Sequence, residues 1–81
     1  MRINYSYKAV GQFEALSKVN QRRIAEKMRF FAGQPDVLKF AKYIATREEY
    51  RFRVGDYRLY FETKNDTIII RTIERRDKAY Y

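Results

Sequence analysis

Cysteine and histidine are both absent from the 81 residues of this chain. Without cysteine the chain forms no disulfide and has no thiol nucleophile. Without histidine it lacks the commonest general base and the commonest metal ligand. A stretch apolar enough for a signal peptide or a membrane span is missing as well. We therefore expect a cytoplasmic protein that uses neither a cofactor nor a metal ion.

Acidic side chains are also scarce, since 10 Asp and Glu face 18 Lys and Arg and the net charge is +8. Residues 1–46 carry nine basic and three acidic side chains, whereas residues 47–81 carry nine and seven. Such an excess favours a polyanionic partner, although a merely solvated basic surface is the alternative. The apolar fraction of 46% is sufficient for one small folded domain, residues 1–81.

The first half of the chain has the hydropathy pattern of a strand followed by helices. Residues 2–7 alternate between apolar and polar side chains and predict a strand, and residues 8–32 have apolar side chains at helical spacing. Gly11 and the SKVN step at residues 17–20 are expected to divide the helical stretch in two, with Ser17 or its neighbours as a cap, and Gly33 and Pro35 to end the second helix.

The second half predicts an antiparallel β-meander. Its strands and turn are expected at residues 48–54, 57–63, 64–66 (turn) and 67–74. Residues 35–45 fit either a short helix capped by Asp36, with Val37 and Phe40 inward, or an irregular connection. The predicted fold class is thus α+β: an N-terminal strand, two helices and a meander, with the helices packed on one face of the sheet.

The segment EYRFRVGDYRLYFE, residues 49–62, predicts a hairpin with the two-residue loop Gly55-Asp56. That loop fixes the register, so the pairs on the covered face are Val54–Tyr57, Phe52–Leu59 and Tyr50–Phe61, and those on the other face are Arg53–Arg58 and Arg51–Tyr60. The apolar face is expected to meet the helical stripe of Leu16, Ile24, Met28 and Phe31. The face with the arginines is then left open.

Two arginines directly opposite each other repel, and sheets normally avoid that pairing. Arginine makes forked contacts with phosphate and stacks on bases. Tyr60 on the same face, joined by Tyr80 or Tyr81 if the closing segment folds back, would add aromatic surface of the kind found at RNA sites. A phosphate-rich ligand is therefore predicted, with ordinary solvated or acid-paired arginines as the alternative.

The ordered pattern of YRFRVGDYRLYFE, a short turn, an isoleucine-rich strand and RRDKAYY resembles the core signature of the RelE/ParE toxin superfamily. The upstream VNQRRIAEKMRFF also fits, so the resemblance covers most of the chain and is sharpest over residues 50–81. It implies a RelE/ParE-like toxin of a toxin–antitoxin pair. One branch of that family enters the ribosomal A site and cuts mRNA there, and another, ParE-like, poisons DNA gyrase without cutting RNA.

The resemblance also implies site residues. The catalytic residues carried over by motif are Arg51, Arg53, Arg58, Arg76 and Tyr80, and the RNA-binding residues are Tyr60, Arg75, Lys78 and Tyr81. Arg58 and Arg76 are assigned to the phosphate, Arg51 and Arg53 to substrate positioning and Tyr80 to base stacking or proton transfer. Ribosome-dependent relatives often have lysines in place of Arg51 and Arg53, so the general acid and base stay open between Tyr80, the ribosome and charge stabilisation alone.

The basic helical half fits a second role. Antitoxins of the family are typically acidic, and the side chains expected to meet one are Arg22, Arg23, Lys27 and Arg29; a solvated helix face is the alternative. The acids Asp36, Asp56, Asp66 and Asp77 are scattered over turns and are interpreted as turn and cap residues rather than metal ligands. The function predicted is a ribosome-dependent mRNA endonuclease, and the alternatives are a gyrase poison and a non-catalytic RNA-binding module.

Overall fold

The computed structural model describes residues 1–75 of the chain. Its elements are β1 (Arg2–Tyr5), α1 (Tyr7–Glu14), α2 (Lys18–Ala32), a 3₁₀ helix (Val37–Phe40), β2 (Lys42–Ile44), β3 (Glu49–Val54), β4 (Tyr57–Lys64) and β5 (Thr67–Arg75). The five strands form one sheet in the order β1-β5-β4-β3-β2. β1 runs parallel to β5, and the other neighbours are antiparallel.

The two helices begin at serine caps. The Ser6 hydroxyl accepts a hydrogen bond from the Ala9 amide at 3.1 Å, and the Ser17 hydroxyl accepts one from the Asn20 amide at 3.2 Å. Each cap satisfies an amide that has no partner within its helix. The predicted cap at Ser17 is confirmed, and α2 ends before Gly33 as expected. Within residues 1–75 no helix is long and apolar enough to cross a membrane.

The β3–β4 hairpin has the predicted register, pair for pair. Gly55 occupies the first loop position with a φ of 59°, a left-handed conformation that glycine adopts without strain. The next turn places Asn65 and Asp66 at φ values of 51° and 60°. Two successive positive φ angles are the geometry of a type I′ turn, which matches the twist of the strands it joins.

The core lies between the helices and one face of the sheet. Phe52 of β3 stacks between Phe31 of α2, at 4.2 Å between ring centroids, and Phe61 of β4, at 4.3 Å. Phe52 and Phe61 have no exposed surface, and Ile24 and Met28 of α2 are buried with them. The predicted fold class is therefore confirmed, with the helices packed on this one face.

A β-bulge interrupts the β4–β5 ladder. Tyr60 pairs with Thr72 and the next residue, Phe61, pairs with Ile70, so Arg71 is the extra residue. Its carbonyl accepts a hydrogen bond from the Ser6 hydroxyl at 2.9 Å, which satisfies a group that the irregular ladder leaves free. Uninterrupted alternation from Ile70 would point Thr72 into the core. The bulge reverses this, and Thr72 faces the open side instead.

The structure differs from the predicted elements near both ends of the helical half. The first strand stops at Tyr5 because Ser6 serves as a helix cap, and Tyr7, predicted to lie in the strand, begins α1 with 98% of its surface exposed. The Asp36 side chain makes no capping hydrogen bond. Phe40, expected to point inward, is 43% exposed, and its aromatic contacts are with Phe30 and Phe31 at the core's margin.

Phe52→Ala is expected to lower the free energy of unfolding by about 3–5 kcal/mol, because it removes the central ring of a buried stack and leaves a cavity. Urea unfolding followed by circular dichroism measures this change. The matched control is Phe30→Ala, the same chemical change at a ring that is 50% exposed, where we expect a loss of about 1 kcal/mol or less. Equal losses for the two variants would contradict the position assigned to the core.

Candidate nucleic-acid interface on the open sheet face

The three predicted arginines of β3 and β4 lie on the face of the sheet opposite the helices. Arg53 is directly opposite Arg58, and Arg51 is opposite Tyr60. The pleat requires this arrangement, because Phe52 between Arg51 and Arg53 points into the core and its neighbours on the strand must then point away. The face is open in the sense that neither helix packs on it.

None of these three arginine side chains has an ion pair or a hydrogen bond within residues 1–75. The Nε atoms of Arg51 and Arg58 are buried and have no hydrogen-bond partner there. A buried donor without a partner destabilises a protein by roughly 1–3 kcal/mol. Opposed charges of one sign add to this, because like charges directly opposite each other on a sheet are destabilising. A bound anion relieves both terms.

Lys42 extends this set of cations. It lies on β2 directly opposite Arg51, so the two side chains share the open face, and Lys42 is exposed. Lys42 is not among the predicted site residues, because its segment does not have the hydropathy pattern of a strand. The alternation of Lys42, Tyr43 and Ile44 is the only signal, and three residues are too short for a reliable period.

Arg47, from the turn between β2 and β3, crosses the open face. Its Nη2 donates to the Glu74 carboxylate at 3.0 Å and its Nε to the Glu49 carboxylate at 3.3 Å. Its guanidinium carbon lies 3.5 Å from the centroid of the Tyr60 ring, a cation–π contact. Burial acts to lower the pKa of the Arg47 guanidinium, but the hydrogen bonds to Glu74 and Glu49 outweigh it and the pKa is raised. No sequence signal marked this turn residue.

Tyr60 is consequently covered. Only 5% of its surface is exposed, because the Arg47 guanidinium lies on its ring. Tyr60 was predicted to offer a stacking surface for a base. In this arrangement its ring supports Arg47, and a base reaches that side of the ring only after Arg47 has moved.

The predicted residues near the end of the chain are placed only in part. Arg75 lies opposite Tyr57, on the helix-covered side of the sheet, with its guanidinium carbon 5.9 Å from the centroid of the Tyr57 ring. The bulge is the cause, since it changes the side on which the residues after Arg71 point. The structure therefore does not bring Arg75 to the open face. The other predicted site residues of this segment lie outside the described residues: Arg76, Lys78, Tyr80 and Tyr81.

The residues predicted to meet an antitoxin form a separate surface on α2. All four are exposed: Arg22, Arg23, Lys27 and Arg29. They flank the helix side that buries Ile24 and Met28. Lys27 Nζ lies 5.7 Å from the centroid of the Phe30 ring, so its charge sits beside an exposed aromatic side chain. Their role as a binding surface stays a prediction.

A shallow groove of about 590 Å³ lies between α1 and α2, away from the arginines. Its lining residues are Tyr5, Val10, Phe13, Glu14, Lys18, Gln21 and Ala25. Burial raises the pKa of the Tyr5 hydroxyl above its ordinary value, so this group stays protonated at neutral pH. None of the arginines of the open face lines this groove.

The open face can hold phosphate groups. The guanidiniums of Arg51, Arg53 and Arg58 are permanently charged and have no ion pair within residues 1–75, which is what binding of phosphate and stabilisation of developing negative charge require. Within residues 1–75 no three acidic side chains lie close enough together to hold a metal ion. The arrangement is that of a candidate anion-binding surface spanning the three strands β2, β3 and β4, with Lys42, Arg51, Arg53 and Arg58 as its cations.

The sequence from residue 3 to residue 80 matches the family model of the ParE toxin of the type II toxin–antitoxin system parDE. No curated protein matches the sequence. Among solved structures, the chain is similar to the archaeal RelE–RelB complex from Pyrococcus horikoshii OT3, with 25% identity, a TM-score of 0.74, and coverage of 96% of this chain and 97% of that chain.

Two further solved structures have the same fold. The RelB–RelE antitoxin–toxin complex from Methanococcus jannaschii is similar at 27% identity and a TM-score of 0.67, with 96% and 98% of the two chains covered. The intact E. coli RelBE toxin–antitoxin complex has a TM-score of 0.74 over 91% and 94% of the chains, but its 12% identity supports the fold alone. A family match over nearly the whole sequence and this likeness agree: the chain belongs to the RelE/ParE superfamily, the toxins of type II toxin–antitoxin systems.

Proposed function

We propose that this toxin is a ribosome-dependent mRNA endonuclease. The observation that supports this most directly is the set of cations on the open face, Arg51, Arg53 and Arg58, which no acid within residues 1–75 neutralises. A surface so charged, with two buried Nε donors that have no hydrogen-bond partner in the described part of the chain, suits the closely spaced phosphates of an RNA strand. Arginines that find no counterion in the described residues destabilise the free protein. A bound anion would offset that cost.

In the proposed reaction the RNA supplies its own nucleophile. The 2′-OH attacks the adjacent phosphorus, the bond to the 5′-oxygen of the next nucleotide breaks, and the products are a 2′,3′-cyclic phosphate and a free 5′-OH. Arg58 and Arg53 would stabilise the added charge on the phosphate, and Arg51 with Lys42 would hold the flanking phosphates so that attack is in line. One proton leaves the 2′-OH and one proton is added to the departing 5′-oxygen, so the reaction has no net uptake or release of protons.

The groups that move those protons are not guanidiniums, because arginine keeps its proton at any physiological pH. Tyr80 and groups of the ribosome are the remaining candidates. Dependence on the ribosome follows from this division of labour: the toxin contributes positioning and charge, and the ribosome holds the mRNA and completes the acid–base chemistry. Arg76 belongs with Arg58 in this proposal, by its place in the family motif.

An acidic antitoxin is the proposed protein partner. The similar structures from Pyrococcus horikoshii and Methanococcus jannaschii are complexes of RelE with RelB. In this chain the exposed cations of α2, among them Arg22 and Arg29, lie away from the sheet's open face. Binding there would leave Arg58 accessible, so an antitoxin that silences the toxin must reach further or hinder entry into the ribosome.

Poisoning of DNA gyrase is the second candidate function. The observation that favours it is the family model, which is that of the ParE toxin. The same cations would then hold DNA or an acidic surface of gyrase and would do no chemistry. The two candidates differ in their product, since one cuts mRNA and the other leaves broken DNA.

In growing cells, induced expression is expected to stop growth and to produce new mRNA 5′ ends within ribosome-bound messages. Arg58→Ala is expected to reduce the cleavage by about 100-fold or more, because it removes a charge that stabilises the transition state. Sequencing of ribosome-associated 5′ ends measures it. Arg71→Ala is the matched control, since Arg71 Nη1 is already 3.6 Å from the Glu62 carboxylate, and it should retain cleavage. Growth arrest with intact mRNA in the parent protein would contradict the proposal.

Purified gyrase distinguishes the second candidate. We expect that the toxin, at a concentration that stops translation in a cell extract, leaves supercoiling of a relaxed plasmid unchanged, because the proposed substrate is RNA held by the ribosome. Gel electrophoresis of the plasmid gives the answer. Inhibited supercoiling, or linear plasmid trapped with gyrase, together with undamaged mRNA in the extract would favour the gyrase poison instead.

Arg58→Gln is expected to stabilise the free protein while weakening its binding to RNA. The substitution removes the repulsion between opposed charges, so the free energy of unfolding should rise by about 0.5–1 kcal/mol, and it removes a phosphate contact, so the Kd for single-stranded RNA should rise about tenfold or more. Urea unfolding and fluorescence anisotropy measure the two effects. Arg71→Gln, the control, should not stabilise. A destabilised Arg58→Gln protein would show that Arg58 has a structural partner.

A further inference from the structure

Arg58 and Glu74 lie directly opposite each other on β4 and β5. Side chains in that position on one face have Cβ atoms about 4.5–5.5 Å apart, and opposite charges there attract each other. The two nevertheless form no ion pair, and the Arg58 Nε has no hydrogen-bond partner within residues 1–75. An available carboxylate beside an unpartnered guanidinium requires an explanation.

Glu74 is already bound by Arg47. Arg47 Nη2 lies 3.0 Å from Glu74 Oε2 and also donates to the Thr72 hydroxyl at 3.2 Å. The Nε of the same guanidinium reaches Glu49, and the Tyr60 ring lies beneath it at 3.5 Å. One planar fork thus contacts two carboxylates, a hydroxyl and an aromatic face, a combination that lysine lacks the geometry to reproduce.

We infer that Arg47 is a positioning residue for Arg58: by holding Glu74, it prevents Arg58 from pairing across the strands and keeps that guanidinium directed at a bound phosphate. The inference rests on the proposed function in taking the anion to be RNA. It concerns regulation of the charge at that same site, since within residues 1–75 Arg58 stays without a counterion only while Glu74, the carboxylate directly opposite it, is bound by Arg47.

The competition has a definite direction. Without Arg47, Glu74 and Glu49 lose the guanidinium that pairs with them. The arginine directly opposite Glu74 on the neighbouring strand is Arg58. Arg58 then gains both a counterion and a partner for its Nε by turning to Glu74. A phosphate must afterwards displace that carboxylate before it can bind, and its apparent affinity falls by the stability of the internal pair.

The first experiment observes this pair without RNA. In proton–nitrogen NMR spectra of the arginine Nε groups, with the Arg58 signal assigned from its loss in Arg58→Lys, we expect Arg47→Ala to shift the Arg58 signal and to slow its exchange with water. In Arg47→Ala/Glu74→Gln the signal should return towards its original position. An Arg58 signal that stays unchanged in Arg47→Ala would overturn the inference, whatever the protein binds.

The second experiment is a double-mutant cycle on binding of a short single-stranded RNA, measured by fluorescence anisotropy at low salt. Arg47→Ala should raise the Kd about fivefold in the parent protein and less than about twofold in the Arg58→Ala background, because the freed Glu74 then has no Arg58 to capture. An equal loss in both backgrounds would mean that Arg47 contacts the RNA or acts by its charge alone, and would overturn the inference.

Two controls complete the design. Arg71→Ala removes the same charge from the same face but frees Glu62, which lies opposite Ile69 rather than an arginine of the hairpin, so its effect should be the same in both backgrounds. If Arg47→Ala does not fold, Arg47→Gln removes the cation and keeps a polar side chain over Tyr60. A parent protein that binds no RNA refutes the proposed function, while the NMR result still decides the role of Arg47.

Discussion

The two-residue period of the β3–β4 hairpin is the constraint on which the rest of the molecule depends. Phe52, Leu59 and Phe61 have to point towards the helices, because the aromatic stack through Phe31 and Phe52 is the centre of the core. Their neighbours along the strands are then forced onto the other side. The same register therefore determines both the packing of the core and the cationic surface. A shift of register by a single residue would bury arginines and expose phenylalanines at the same time. The loop glycine at position 55 fixes that register at its origin.

The open face is organised by charge in two zones. In one zone, Arg47 contacts Glu49, Glu74 and Tyr60, so its positive charge is balanced by carboxylates of the protein itself. In the other, the hairpin arginines form no ion pair with any acid of residues 1–75. The bulge at Arg71 connects the zones, because it turns Thr72 and Glu74 towards the open side, where Arg47 can bind them. An arginine paired with internal acids and arginines without such pairs thus lie side by side on the open face, and only the second set is suited to an external anion.

Much of this arrangement is predictable from sequence because it obeys local rules. The register of the hairpin, the cap at Ser17 and the side on which Arg51, Arg53 and Arg58 lie all follow from alternation and from turn chemistry. What sequence reasoning missed depends on contacts between distant residues. β2 is only three residues long, and Arg47 finds its partners on β3 and β5. The bulge breaks the alternation that would place Arg75, and it is satisfied by Ser6, far away along the chain. No local pattern encodes such pairs.

The position of β5 has a consequence for how the polypeptide folds during its synthesis. β5, the last strand of residues 1–75, lies between β1 and β4, with β1 hydrogen-bonded parallel to it. Until residues 67–75 have left the translating ribosome, β1 has no neighbour, β4 presents a bare edge and α1 lacks the strand on which it packs. A nascent chain therefore cannot assemble its sheet progressively from the N-terminus, and the fold closes in a late, long-range step of the kind that makes folding slow. Premature termination before β5 would yield an unpaired, aggregation-prone fragment rather than a shortened toxin.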